Sequence, residues 1–264
     1  VIPPSAQEPG PTGRTFGTVA DLYDRHRPDY PPALIEAVLA LVPGPARVLE
    51  AGAGTGIATE QLARAGAAVV AVEPDPAMAA RARVRCAGLA VEVVEAPFEA
   101  VGPPAVPGPF DLVAAAQAWH WIEAERGRAV ARALLRPGGA LACWWHTPRD
   151  GPDYEALVGL YRALAPDMVP GMAVASWEAE MDRMRRALVG PGFAPPETSL
   201  VDWTARLGPD RVAGLLRTYA GHHQLDPALL DQLTDGAAAL ARRRGGVLAL
   251  GYRTVLHCAR RVPG

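Results

Sequence analysis

One stretch of nine residues, Val48-Leu49-Glu50-Ala51-Gly52-Ala53-Gly54-Thr55-Gly56, constrains this chain more than any other. It follows a proline-bracketed break, Pro43-Gly44-Pro45, opens as a short apolar run and ends in a loop whose alternate positions carry no side chain. From Ile57 onward apolar residues recur at helical spacing, and Gly66 stands where such a helix would stop. Strand, glycine loop and helix in that order predict the opening unit of a doubly wound sheet, in which ligands sit beyond the carboxyl ends of the strands. The glycines permit positive φ and let the backbone lie against a ligand, while N–H groups at the helix start offer hydrogen bonds.

The spacing narrows the ligand. A dinucleotide fingerprint needs glycine at the place of Ile57, and Gly56 comes one residue too early. The sequence instead has an acid, Glu50, two residues before Gly52, facing the loop from the strand's end. A carboxylate there repels a pyrophosphate and attracts an ammonium or sulfonium cation. The run Glu50-Ala-Gly-Ala-Gly-Thr-Gly resembles the E/D-x-G-x-G-x-G signature of class I S-adenosylmethionine-dependent methyltransferases, and the resemblance extends from about Phe16 to Arg261. It implies an α/β fold: a Rossmann-like, seven-stranded, mostly parallel sheet with an antiparallel last strand, helices on both faces and a helical cap. It also implies S-adenosylmethionine as cofactor, S-adenosylhomocysteine as product, and Gly52, Ala53, Gly54 and Gly56 as the cofactor's cradle.

Composition excludes other chemistries. At 264 residues, half of them hydrophobic, the chain can bury one large core with a cap. A net charge of -2 gives no footprint for nucleic acid. No apolar run reaches membrane-spanning length, the first residues lack a secretory h-region, and the scattered Cys86, Cys143 and Cys258 suggest neither a disulfide frame nor a metal site. A soluble cytoplasmic protein without metal, acting on a small molecule, is expected. The chain has no lysine and no asparagine. That removes a Walker A lysine, a pyridoxal Schiff base and a kinase lysine, and also the Asn-Pro-Pro-Tyr loop of methyltransferases acting on amide or exocyclic base nitrogens.

Read in order, residues 1–14 are rich in proline and glycine and are expected to be a disordered tail. Phe16 to His26 reads as a short helix, and Pro31-Pro32 opens another through Ile35, Val38 and Leu41, giving lid helices over 15–42. Between them lies a Tyr23, Arg27-Pro28, Tyr30 segment. The resemblance implies that it folds over the cofactor's methionine end, with Arg27 pairing to the carboxylate and Tyr23 or Tyr30 covering the sulfonium. Read without it, the same residues form an aromatic helix junction. The apolar run from Ala67 to Val72 suits a central strand and ends in Glu73-Pro74-Asp75. An acid at that place can accept two ribose hydroxyls, the role the resemblance gives Glu73 beside Pro74. Asp75 is expected to cap a helix from Pro76, whose Met78 either lies against adenine or fills the core. A third strand, Ala90 to Val94, leads to Phe98 and Glu99, which by family position touch the adenine.

Phe110 to Ala116 is the fourth strand, and it empties into Gln117-Ala118-Trp119-His120-Trp121. Two tryptophans around a histidine at a strand's carboxyl end point to the transferring methyl. Gln-Ala-x-His-Trp resembles a signature of the bacterial and fungal branch that includes trans-aconitate methyltransferase-like proteins. His120 is the first candidate general base, or else a residue that orients the loop, and His146 is the second candidate. Gln117 joins the cofactor set. A helix from Glu123 to Leu135 and the turn Arg136-Pro137-Gly138-Gly139 precede a fifth strand, Ala140 to Trp145. Residues 146–198, with helical patterns over Tyr154 to Leu164 and Ser176 to Val189, are expected to form an acceptor cap between core segments 15–145 and 199–264. Trp119, Trp121, Trp145, Trp177, His222 and Tyr252 are the candidate acceptor contacts, with Tyr154 and Trp203 as further aromatics. They favour methylation of oxygen on an apolar or aromatic metabolite. The adjacent His222 and His223 are poorly spaced to share one metal ion. The rival expectations are a non-catalytic subunit that binds the cofactor or its product, and an NAD-dependent oxidoreductase.

Overall fold

In the computed structural model, which describes residues 20–263, the apolar runs become seven strands. They are β1 (Arg47–Ala51), β2 (Ala68–Glu73), β3 (Val91–Glu95), β4 (Phe110–Ala116), β5 (Leu135–Pro148), β6 (Glu197–Leu207) and β7 (Leu248–Arg260). They pair into one sheet in the order β3-β2-β1-β4-β5-β7-β6, with β7 antiparallel to both its neighbours and the other pairings parallel. The expected tail over 1–14, and Phe16, lie outside the described residues. β5 starts at Leu135 rather than Ala140. Leu135 already pairs with Phe110 before the turn at Gly138, which enters the strand as a register shift.

The helices are α1 (Ala20–His26), α2 (Pro32–Leu39), α3 (Ile57–Arg64), α4 (Pro76–Arg85), α5 (Ala124–Leu134), α6 (Pro152–Leu164), α7 (Val174–Ala187), α8 (Pro209–Arg217) and α9 (Pro227–Arg243). Local chemistry sets their starts. Asp75, as expected, accepts from Ala77 and Met78 N–H ahead of Pro76, and Asp226 does the same ahead of Pro227. Alternate residues of β1 divide the core: Val48 packs with Leu34, Val38, Leu62 and Trp144 on one face, whereas Leu49 packs with Phe98, Leu134, Trp145 and Met181 on the other. Each buried Leu or Val contributes roughly 1.5–3 kcal/mol of transfer free energy.

The 146–198 segment, read from the sequence as one cap, divides between two layers. α7 lies on the sheet: Trp177, Met181 and Met184 belong to its core, and Met181 O is 3.0 Å from His257 Nε2 on β7. The apolar stripe of α7 faces the sheet, and this fixes it there. α6 instead joins α8 and α9, which the sequence had grouped with the core, in a separate cluster of Tyr154, Leu157, Tyr161, Leu215, Leu233 and Ala237 over the ends of β6 and β7. α1 packs against α8 at Gly214, where any Cβ would sit 2.3 Å from the His26 ring.

Candidate active site

β1 and β4 are adjacent, but the chain order runs from β1 towards β2 and β3 on one side and from β4 towards β5 on the other. The crevice beyond their carboxyl ends is the switch point of a doubly wound sheet. A cavity of about 620 Å³ opens there. It is lined by the expected cofactor residues Tyr23, Arg27, Tyr30, Glu50, Gly52, Ala53, Gly54, Glu73, Pro74, Met78, Phe98, Glu99 and Gln117. Of the expected catalytic and acceptor residues, His120, Trp121, His146, Trp177 and Tyr252 line it.

The glycine loop is tied to the end of β2. Gly52 N and Ala53 N donate to Val72 O at 2.9 and 3.0 Å, and Gly54 N donates to Glu73 Oε2 at 2.8 Å. Glu73 Oε1 accepts from Asp75 N at 2.9 Å. Three glycines here serve three ends. At Gly52, φ is +70° and a Cβ would lie 2.6 Å from Ala118 Cβ, so the loops after β1 and β4 meet only because no side chain intervenes. At Gly54, φ is +60° and a Cβ would meet nothing within 4 Å. Gly56, expected in the cradle, does not line the cavity. It packs the start of α3 on α4, where a Cβ would come within 3.3 Å of Cys86 Sγ and closer still to Ala82.

Glu50 is wholly buried. Its Oε2 accepts from Thr59 Oγ1 at 2.5 Å, while Oε1 has no partner among the described residues. Burial pushes its carboxyl up to about 8, against the Thr59 hydrogen bond, and Glu73 adds to the rise. Burial also raises Glu73, opposed by its two backbone N–H donors. Arg27 donates from Nε to Thr218 Oγ1 and from Nη2 to Thr218 O, both at 2.9 Å, and its guanidinium lies 4.7 Å from the ring centres of both Tyr23 and Tyr219. It thereby joins the α1–α2 segment to the end of α8. Glu99 Oε1 accepts from Glu123 N at 2.9 Å, and Phe98 packs on Trp119.

The opposite wall begins at Gln117, whose φ of +57° is the one positive value for a non-glycine among the described residues. Its N–H donates to Trp144 O. This kink turns the chain so that His120 and Trp121 line the cavity, while Trp119 goes into the core. Trp119 and Trp145, expected at the acceptor, are both fully buried and outside the lining, because the sheet-facing positions of the turn and of β5 point them under it. Trp145 nevertheless reaches the site through its Nε1–H, which donates to His120 Nδ1 at 3.1 Å. Trp203 similarly donates from Nε1 to Thr254 Oγ1 at 3.0 Å, and Thr254 Oγ1 is 2.8 Å from His146 Nδ1. Burial lowers both imidazoles to about 3, helped by Arg183 at His120 and by Arg27 at His146.

His222, expected to face the acceptor, lies behind the wall. Its Nε2 is 2.6 Å from Tyr161 Oη and its ring packs on Tyr219, because the turn over Ala220–Gln224 directs it inward. Thr59, Thr218, Tyr219 and Leu215 were missed by sequence reasoning. Tyr219 is an aromatic two residues past the end of α8, a weak signal. No pattern in the sequence links Thr218 to Arg27, 191 positions away. Among the described residues, no group of three or more His, Cys, Asp or Glu could hold a metal ion, and no helix is long and apolar enough to cross a membrane.

The chain is similar to known methyltransferases in sequence and in fold. Residues 48–139 match the family model described as a methyltransferase domain. An uncharacterized methyltransferase of Mycobacterium tuberculosis is 35% identical over 255 residues, covering 91% of this chain and 93% of that protein. A solved structure named for a type II methyltransferase of Anaeromyxobacter dehalogenans superposes with a TM-score of 0.67 at 26% identity, over 90% of this chain and 99% of the other. The S-adenosylmethionine-dependent methyltransferase of Thiobacillus denitrificans, solved with S-adenosyl-L-homocysteine, shares the fold with a TM-score of 0.51 at 19% identity, over 93% of this chain and 98% of that one.

Proposed function

This chain belongs to the class I S-adenosylmethionine-dependent methyltransferases, and we propose that it transfers the methyl group to an oxygen of a small apolar or aromatic metabolite. The observation that carries this reading is the cavity's two-sided lining, with backbone and carboxylates on one wall and aromatic and imidazole rings on the other.

The first wall fits the cofactor. Glu50 Oε1 is a buried acceptor without a donor, which an ammonium group supplies, and the open space at Gly54 lets a nucleoside lie against bare backbone. Glu73 has acceptor capacity left on both oxygens for ribose hydroxyls. Met78 and Phe98 offer apolar contact for a purine. When bound, the cofactor supplies a methyl already activated on a sulfonium. The protein's remaining task is to hold the acceptor in line and keep water out, which fits a deep crevice closed by Tyr23, Arg27 and Tyr30.

On the second wall we assign Trp121, Trp177, Tyr219 and Tyr252 to the acceptor's apolar body, and His120 and His146 to its reacting end. We further propose that α6, α8 and α9 act together as the acceptor cap. Calorimetry with S-adenosylmethionine, followed by labelled-methyl transfer to a metabolite extract, tests the reading. Binding together with a labelled small molecule is expected. Binding without any transfer would turn the assignment to a non-catalytic cofactor-binding subunit.

A further inference from the structure

α1 packs on α4 at the cofactor side and on α8 in the cap, and it meets the two by different chemistry. On α8 it is seated. The His26 ring covers Gly214 so closely that any Cβ there would sit 2.3 Å from it, while Arg27 is held by Thr218 and lies between the rings of Tyr23 and Tyr219. On α4 it is held by ion pairs. Asp24 Oδ1 accepts from Arg85 Nε at 3.0 Å and from Arg85 Nη2 at 2.6 Å, and the exposed Asp21 pairs with Arg81. Arg85 has a second partner on α3, because its Nη1 donates to Glu60 Oε2 at 2.8 Å. Withdrawing Asp24 therefore leaves the half-buried guanidinium paired to Glu60 and passes Asp24 to water, so no charge is stranded. Parting α1 from α8 would instead expose packed rings. The α4 seam is the weaker one. Tyr30, beyond α1, is pinned to α3: its N–H donates to Gln61 Oε1 at 3.0 Å, and its carbonyl accepts from Gln61 Nε2 at 2.8 Å. Between Arg27, which goes with α8, and this pin lie Pro28 and Asp29, where a pivot must fall.

We propose that α1 is the clasp of the cap: it travels with α8, and the Asp24–Arg85 seam is the gate through which the cofactor enters and its product leaves. Arg85, Glu60 and Gln61, none of which lines the cavity, are then positioning residues. Arg85 and Glu60 form the catch on the fixed side, and Gln61 holds the pivot. Tyr23 and Arg27, which do line the cavity, sit on the moving side, whereas Tyr30 stays with α3. Opening the seam draws Tyr23 and Arg27 off the crevice and leaves the glycine loop and Glu50 in place. This rests on the methyltransferase reading above and names what controls exchange at that site. Salt screens a half-exposed pair far more than a buried one, so it acts on the gate before it acts on Glu50.

Distances between spin labels on the full chain test which seam opens. The native Cys86, Cys143 and Cys258 are buried, so the labels go on exposed positions: Arg25→Cys with Val84→Cys across the α4 seam, and Arg25→Cys with Asp210→Cys across the α8 seam. Without ligand the first distance is expected to be broad and to narrow when S-adenosylhomocysteine is added, while the second stays narrow throughout. A first distance that is narrow in both states, or a second that broadens, overturns the proposal. Another arm reads the off-rate of S-adenosylhomocysteine by surface plasmon resonance. Arg85→Met is expected to raise it about tenfold, the worth of one charge-assisted hydrogen bond, and to remove its rise with salt between about 0.05 and 0.5 M. Asp24→Asn should do the same, and the double variant should do no more than either alone. Wild-type off-rates in both single variants overturn the gate. Should S-adenosylhomocysteine not bind at all, the cofactor reading falls, and the ligand-free distances still decide which seam opens.

Discussion

The two walls of the cavity are built by different means. The cofactor wall comes largely from one stretch of chain, residues 50–78, and acts through backbone N–H groups, bare glycines and two carboxylates. The acceptor wall gathers side chains from residues 120–121, 146, 177, 219 and 252, five separate places along the chain. A wall made of backbone tolerates little change and is shared across a family. A wall made of rings on separate elements changes one side chain at a time, so the same fold serves many acceptors.

The sharpest way to break the first wall is Gly52→Val. Positive φ for a branched residue costs about 1–2 kcal/mol, and the side chain must also displace the loop at Ala118, 2.6 Å from its Cβ. S-adenosylmethionine binding is expected to be lost in calorimetry while the circular dichroism of the folded chain persists. Retained affinity would show that the loops after β1 and β4 need not touch. Gly54→Ala meets open space and bears only the φ cost, so it should weaken binding less; equal losses would erase the distinction between the two glycines.

Glu50→Gln comes next, with an expected loss of about ten- to a hundredfold in S-adenosylmethionine affinity, the worth of one charge-assisted hydrogen bond. Its pH signature is more specific. In the ligand-free fold Glu50 keeps its proton up to about pH 8, whereas the unfolded chain loses it near 4.5. Between those values the folded state binds more protons, so this group's contribution is fully present below pH 4.5 and is lost as pH rises through about 8. Glu50→Gln should remove that slope from Tm measured between pH 5 and 8. Because pairing with an ammonium group needs the ionised form, binding at pH 7 should release about one proton, read as a dependence of calorimetric heat on buffer. A wild-type heat independent of buffer would mean that Glu50 is already charged.

The same contrast explains how far the sequence could be read. β4 runs from Phe110 to Ala116 as expected, and the strand–loop–helix at Val48 to Arg64 is in place, because periodicity and glycine placement are local properties. So are Glu50 and Glu73, set at strand ends by the chain's own alternation. The acceptor side was legible only as a list of aromatics. Trp119 and Trp121 differ by two positions, yet one is core and the other lines the cavity, because they share a 3₁₀ turn, in which residues two apart fall on different sides. Trp144 and Trp145 are split between the two sheet faces by the same two-residue period, so neither lines the cavity. α7 was expected in a cap because its apolar stripe gives the helix but not its partner, and the partner turned out to be the sheet.

Thr218→Val probes the seam between the walls. It deletes the hydroxyl that accepts from Arg27 Nε and leaves the carbonyl bond intact. A loss of about 1 kcal/mol in holding Arg27 should raise KM for S-adenosylmethionine about fivefold, with kcat changed less. An effect confined to the acceptor's KM would place Arg27 on the second wall instead.

The smallest effect on catalysis is expected one layer further back, at Tyr161→Phe. Tyr161 and His222 are both fully buried, joined at 2.6 Å, and neither lines the cavity. Removing the hydroxyl leaves His222 Nε2 without a partner beside an Nδ1 that already lacks one, a cost of about 1–3 kcal/mol in stability and a fall in Tm of several degrees. Both KM values should stay at wild type, since the ring of Tyr219 stands between this pair and the cavity and no volume changes beneath it. Stability would then be lost without function, the inverse of what Glu50→Gln does. A shift in the acceptor's KM would mean that His222 reaches the site by moving Tyr219, and that the wall is two residues deep.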